Sequence, residues 1–172
     1  MDILTRYLGY EAWTTRYFLL RCRELRPEQW RQQVDVGHGT VYQTLLHVIG
    51  NLESWTDLLY ERPQRVHPWP PDDTATVDDF LARCDAAIQD FSARAGELAE
   101  AGRLDEHYTD YLDDPPTQKT FGGTLLHVLT HTTIHRSELM HLLQRLGVPD
   151  LIEGDALSWE ARRTASAQES AH

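Results

Sequence analysis

Three histidines, His127, His131 and His135, recur at intervals of four in the run Thr124-Leu125-Leu126-His127-Val128-Leu129-Thr130-His131-Thr132-Thr133-Ile134-His135-Arg136-Ser137-Glu138. On an α-helix four residues advance about 400°, so the three imidazoles form a slowly drifting ladder on one face. Adjacent rungs stand roughly 6 Å apart along the axis, and the outer pair about 12 Å. Two imidazoles one turn apart can converge on a transition-metal ion at M–N distances of about 2.0–2.1 Å, but three from one straight helix cannot. A third ligand has to come from elsewhere in the chain. Thr44-Leu45-Leu46-His47-Val48 repeats Thr124-Leu125-Leu126-His127-Val128 letter for letter, and each copy follows a glycine-containing lead-in, Gly37-His38-Gly39 or Gly122-Gly123. This predicts two similar helices presenting histidines at similar depths.

The pattern Leu-Leu-His-Val-x-x-His-x-x-x-His-Arg, with an earlier Leu-x-His on another helix, resembles the DinB/YfiT-like metalloproteins over about residues 2 to 150. The resemblance implies a four-helix bundle with a three-histidine metal site, whose ligands fall on His47, His131 and His135. It also implies a homodimer and, for some relatives, thiol-dependent S-transferase or isomerase chemistry with a low-molecular-weight thiol as co-substrate. Members commonly carry Gly-Gln after the Arg, where this chain has Ser137-Glu138. The departure leaves the ligands in place and removes the amide.

The remainder of the chain fits one domain over residues 1–172. At this length a sizeable core is expected, and 41% hydrophobic with 25% charged residues is ordinary for a globular protein. No stretch approaches the roughly 20 apolar residues that span a bilayer, and the first residues lack a signal-like apolar run, so a cytoplasmic protein without membrane association is expected. Net charge is −11, with Lys119 the single lysine against fifteen arginines. Such a surface repels phosphate backbones and argues against nucleic-acid binding. The early arginines Arg16, Arg21, Arg23, Arg26 and Arg31 read as a solvated helix face. Cys22 and Cys84 read as buried thiols.

Apolar periodicity predicts helices over about 2–25 with Asp2 as cap, from Thr40 to about Arg62, from Thr76 to about Ala101, and from about Gly123 to Leu146 before Gly147. A short helix is expected over 155–163, with a frayed tail behind it. Residues 62–75 read as a proline-rich rigid loop, and 103–121 as a long connection overhanging the histidine helix. Together these make an all-α fold, an antiparallel up-and-down four-helix bundle with a short C-terminal extension. In that order the second and fourth helices start at the same end, which brings His47 level with His131 and His135 to within about a turn.

Three neutral imidazoles favour borderline cations, Zn or Ni first, with Fe, Mn or Cu as alternatives, and leave positions open for water or a small-molecule substrate. The segment is not a zincin, because Thr132 stands where His-Glu-x-x-His places its general base. Glu138, one turn beyond His135, could orient an imidazole or pair with Arg136 or Arg145. Arg136, Tyr108 and Tyr111 are the candidates for substrate contact. His127 reads as a pocket wall or a group behind the ligands. His38, His67, His107 and His172 read as solvated, and His141 as a surface residue. The function that follows is a metal-dependent transferase using a thiolate or water at the metal. The alternatives are a metal-water hydrolase and a non-catalytic, stress-related metal-binding or interaction protein.

Overall fold

Each long helix opens on a side chain that caps it, as shown by the computed structural model, which describes residues 1–65 and 75–169. Asp2 accepts from the Thr5 amide at 2.8 Å to start α1 (Ile3–Arg21). Thr40 accepts from Gln43 at 3.0 Å to start α2 (Val41–Leu59). Thr76 and Asp79 form a reciprocal capping box at the head of α3 (Val77–Glu100). Thr120 caps α4 (Phe121–Arg145) through the Gly123 amide at 3.1 Å. Each such contact satisfies one of the amides a helix start leaves unpaired and is worth about 1 kcal/mol. Gly102 and Gly147, at φ +68° and +87°, turn the chain out of α3 and α4 as a glycine after a helix does. The fifth helix, α5 (Ala156–Glu169), runs further than expected.

Three expectations need correction. The first helix stops at Arg21, and short 3-10 turns over Cys22–Glu24 and Pro27–Arg31 follow it. The connection expected over 103–121 contains an antiparallel strand pair, β1 (His107–Asp110) and β2 (Thr117–Thr120), with His107 opposite Thr120. The fold is therefore mostly helical with a small sheet, not all-α. Four-residue strands alternating on Tyr108 and Asp110, both buried, are too short to signal themselves beside Pro115 and Pro116. The proline-rich stretch lies mostly outside the described residues, as do His67 and His172.

The third correction concerns helix direction. α1 packs on α3 and α4, and α2 packs on the same two helices. Arg16 pairs with Asp85 and Arg23 with Asp78, so α1 and α3 run in opposite directions. Arg83 binds Glu53 at 2.7 Å while Arg94 reaches the Leu59 carbonyl at 2.9 Å, so α2 and α3 run the same way. Tyr7 meets Thr133 and Arg136 meets Tyr10, with Arg21 further along at Pro149, so α1 and α4 are parallel. The helices thus run up, down, down, up, and α2 lies antiparallel to α4. Phe18, Leu45, Phe80, Phe121 and Leu142 fill the interior between them. A buried ion pair, Glu11 with Arg136, and a half-buried one, Glu53 with Arg83, cross the α1–α4 and α2–α3 seams.

Candidate metal centre

The antiparallel contact of α2 and α4 determines which histidines meet. His47 on α2 faces His135, ring centroids 4.5 Å apart, and eight residues further on Trp55 faces His127 at 5.2 Å. The two identical pentapeptides are therefore not equivalent in space. His47 meets the lower rungs of the ladder, and His127 stands exposed against Trp55.

Nε2 of His135 lies 3.1 Å from Nε2 of His47 and 3.1 Å from Nε2 of His131. Glu138 Oε2 sits 2.6 Å from Nδ1 of His135. A carboxylate only accepts, so Nδ1 carries the proton and Nε2 of His135 presents its lone pair to the other two rings. One in-plane lone pair cannot accept two linear hydrogen bonds. A cation bound beside Nε2 of His135 would replace these competing contacts, with His47 and His131 each 3.1 Å from that nitrogen as its neighbours. Nitrogens about 2.05 Å from one ion and 3.1 Å apart subtend about 98°, between the tetrahedral and octahedral angles. The donor set thus fits a transition-metal ion in both chemistry and spacing.

Electrostatics keep the imidazoles in the form a metal needs. Burial, followed by the neighbouring His38, His135 and His131, lowers His47 to about 4. Burial, then His135 and His127, also lowers His131. A neutral ring is the ligating form, so little proton competition opposes binding near pH 7 at either ring. The Asn51 amide, one turn along from His47, lies 2.8 Å from its Nε2.

The structure also brings in a histidine that the sequence left in solvent. His38 is exposed, yet its ring lies 3.9 Å from that of His47 and 5.0 Å from that of His135. One donor atom each from His38, His47 and His135 lie within 4.8 Å of one another, and His131 joins them through His135. The available signal was Gly37-His38-Gly39, two glycines bracketing a histidine just ahead of α2. Both adopt positive φ, +50° and +82°. A Cβ on Gly37 would overlap the Glu138 carboxylate, so this loop presses directly on the group that orients His135.

The other candidates lie elsewhere. Arg136, 3% exposed, turns to α1, where it pairs with Glu11 at 2.5 Å and donates to the Tyr10 hydroxyl at 3.1 Å. Tyr108, also 3% exposed, stacks on Phe121 and shares a 2.7 Å hydrogen bond with Thr124. Both are committed to interior contacts away from the histidines. Tyr111 is 74% exposed between the strands, and His107 and His141 are exposed as expected. Glu138 takes the orienting role and not the arginine pair. Beyond His127 a cavity of about 450 Å³ is lined by Trp55, Asp113, Lys119, Thr120, Thr124 and His127. His127 links it to His131, with ring centroids 5.4 Å apart.

No curated protein matches this sequence. Among solved structures, a candidate member of the DinB family from Exiguobacterium sibiricum 255-15 superposes with a TM-score of 0.60 at 21% identity, covering 88% of this chain and 95% of that one. At that identity the likeness speaks for the fold alone. The family model described as DinB family matches residues 1–162, nearly the whole chain, and the protein belongs to that family.

Proposed function

We propose that the protein is a metal-dependent enzyme acting on a small molecule, in which His47, His131 and His135 hold a divalent ion. What supports this is that Nε2 of His135 has the Nε2 atoms of both His47 and His131 at 3.1 Å, with its own ring oriented by Glu138. Zn or Ni suits this donor set best, and Fe, Mn or Cu are compatible with it. When bound, the ion supplies a Lewis acid that ionises a thiol or a water held beside it. The chain's own residues do the rest. His47 and His131 stay neutral, and Glu138 fixes the tautomer and plane of His135, while the Asn51 amide, which lies on Nε2 of His47, gives way when that nitrogen binds the ion. The cavity walled by Trp55, Lys119 and His127, the last one turn from His131, offers a small molecule an aromatic surface beside an ammonium held by Asp110 and Asp113.

The reaction class favoured is thiol S-transfer, on the strength of the family resemblance, with a low-molecular-weight thiol as co-substrate. The resemblance extends the proposal to a homodimer, which sedimentation equilibrium tests. Elemental analysis of the purified protein beside His47→Ala and His131→Ala is the first experiment. Near-stoichiometric metal in the parent, lost in both variants, supports the site, and thiol-dependent consumption of an electrophile supports the transferase. Turnover without thiol would favour a metal-water hydrolase. A protein that neither carries nor takes up Zn2+ or Ni2+ would refute the enzyme reading and leave a non-catalytic interaction protein.

A further inference from the structure

Three helix-borne imidazoles leave coordination positions to be filled, and a fourth histidine of the cluster is on a loop. We infer that His38 is a fourth, displaceable imidazole ligand at this site, an inference that rests on the metal-binding reading above. Its donor atom falls within 4.8 Å of those of His47 and His135, closer company than the sequence spacing of a loop residue would suggest.

The placement is built, not incidental. Gly37 and Gly39 at positive φ fold the chain back on both sides of His38. The Val34 amide donates to the Gly39 carbonyl at 2.8 Å, and the Gly39 amide donates to the Val36 carbonyl at 2.9 Å, closing the turn on itself. Gly37 abuts the Glu138 carboxylate and Gly39 the Gln33 side chain, so a Cβ at either position would displace the side chain it meets. The turn is therefore seated against α4 at the height of His135.

His38 differs from the other three in what holds it. Its ring is exposed, on the turn that leads into α2, whereas the others project from within helices packed along their length. Helix-borne ligands stay while a loop-borne one can swing out. An incoming donor therefore competes with His38 for one position, and its apparent affinity is reduced by the fraction of time that His38 occupies it.

The test uses the full chain and Co2+ as the probe. Co2+ affinity, by competition with a chromophoric chelator, and the visible ligand-field spectrum are compared for the parent, His38→Ala and His38→Gln, with thermal unfolding confirming that the variants fold. Both variants are expected to bind Co2+ at least tenfold more weakly, since even a group one step removed from the ion costs about 10–100-fold. Their spectra should change, and added imidazole should return that of His38→Ala towards the parent. 2-Mercaptoethanol should bind the Co2+ form of His38→Ala several-fold more tightly than the parent, and equal binding would overturn displaceability. Equal Co2+ affinity and identical spectra, with binding still abolished by His47→Ala, would overturn the role of His38 alone. A parent that takes up no Co2+ would overturn both this inference and the reading beneath it.

Discussion

Gly37→Ala should weaken metal binding although Gly37 offers no side chain to any ligand. Two costs arise at the substitution. A non-glycine residue held at φ +50° costs about 1–2 kcal/mol of stability. The new Cβ also overlaps the Glu138 carboxylate. That carboxylate is the end of a flexible side chain, so the overlap is relieved by rotating Glu138 away and not by moving backbone. What is then lost is its 2.6 Å contact with Nδ1 of His135. Such partners typically contribute 10–100-fold in metal affinity, or about 1.4–2.7 kcal/mol. With an unfolding temperature moving about 2–4 °C per kcal/mol in a chain of this size, the strain appears as a fall of roughly 2–8 °C in the metal-free protein.

A double-mutant cycle separates the two costs. Glu138→Ala alone should lower Co2+ affinity by about the same 10–100-fold, because it removes the same contact. Adding Gly37→Ala in that background should change the affinity little, since the space is now open, while still lowering the unfolding temperature by the strain. The coupling in affinity then equals nearly the whole effect of either variant. Chelator competition and calorimetry on the four proteins give both quantities. Additive affinity losses, or a Gly37→Ala protein that binds as the parent does, would refute the claim that the loop acts through Glu138.

Asp57, fully buried, accepts from Arg62 at 2.7 Å and from the amide and Nε of Arg65 at 2.8 Å. Asp57→Asn should therefore cost about 1–3 kcal/mol, since Arg62 and Arg65 are partly exposed and keep Asp90, and this is seen as a lower denaturant midpoint with an unchanged slope. Arg136→Ala should destabilise by about 3–5 kcal/mol through the stranded, buried Glu11, yet retain near-stoichiometric metal, and loss of metal from a folded variant would contradict its interior placement. Because His47 is lowered to about 4 in the fold, the unfolded chain takes up its proton first as the pH falls below 6.5. Metal-free stability should decline from about pH 6.5 towards 4 and then level off in this contribution. His47→Gln should flatten that slope in pH-dependent unfolding. Cys22 and Cys84 are buried, and burial pushes Cys84 up to about 12, so a thiol reagent should label neither until the protein unfolds.

The helices and their caps were legible because their signals are local: Asp2, Thr40 and Thr76 mark the starts, and the apolar stripes fix which face turns inward. The histidines were legible for the same reason, since spacing by four places His131 and His135 on one face wherever the helix goes. Helix direction is different in kind. It depends on how the chain crosses between α2 and α3, and no residue on either helix encodes that crossing. The duplicated pentapeptide invited the simplest symmetric inference, two helices starting together. The ion pairs and ring contacts show them starting at opposite ends, with His47 meeting His135 and Trp55 meeting His127. The proposed ligands still come together because His47 lies six residues from the start of α2 and His135 ten residues from the end of α4, roughly 9 and 15 Å of rise. Agreement in depth was thus no evidence for parallel helices, since an antiparallel pair gives it equally well.

The same topology explains why His38 escaped notice and why it is where it is. Were α2 parallel to α4, the turn preceding α2 would lie beside the start of α4 and its glycines. Because the helices are antiparallel, that turn lies beside the second half of α4, and Gly37 comes to rest on Glu138. A loop histidine has no periodicity to betray it, so sequence alone gives it the ordinary reading of a solvated side chain. Its position depends on two facts beyond local pattern: the direction of α2, and a backbone at φ +50° and +82° that glycine adopts most readily. The Gly-His-Gly lead-in is then a positioning device, in which the glycines turn the chain and the histidine is what they deliver to the cluster.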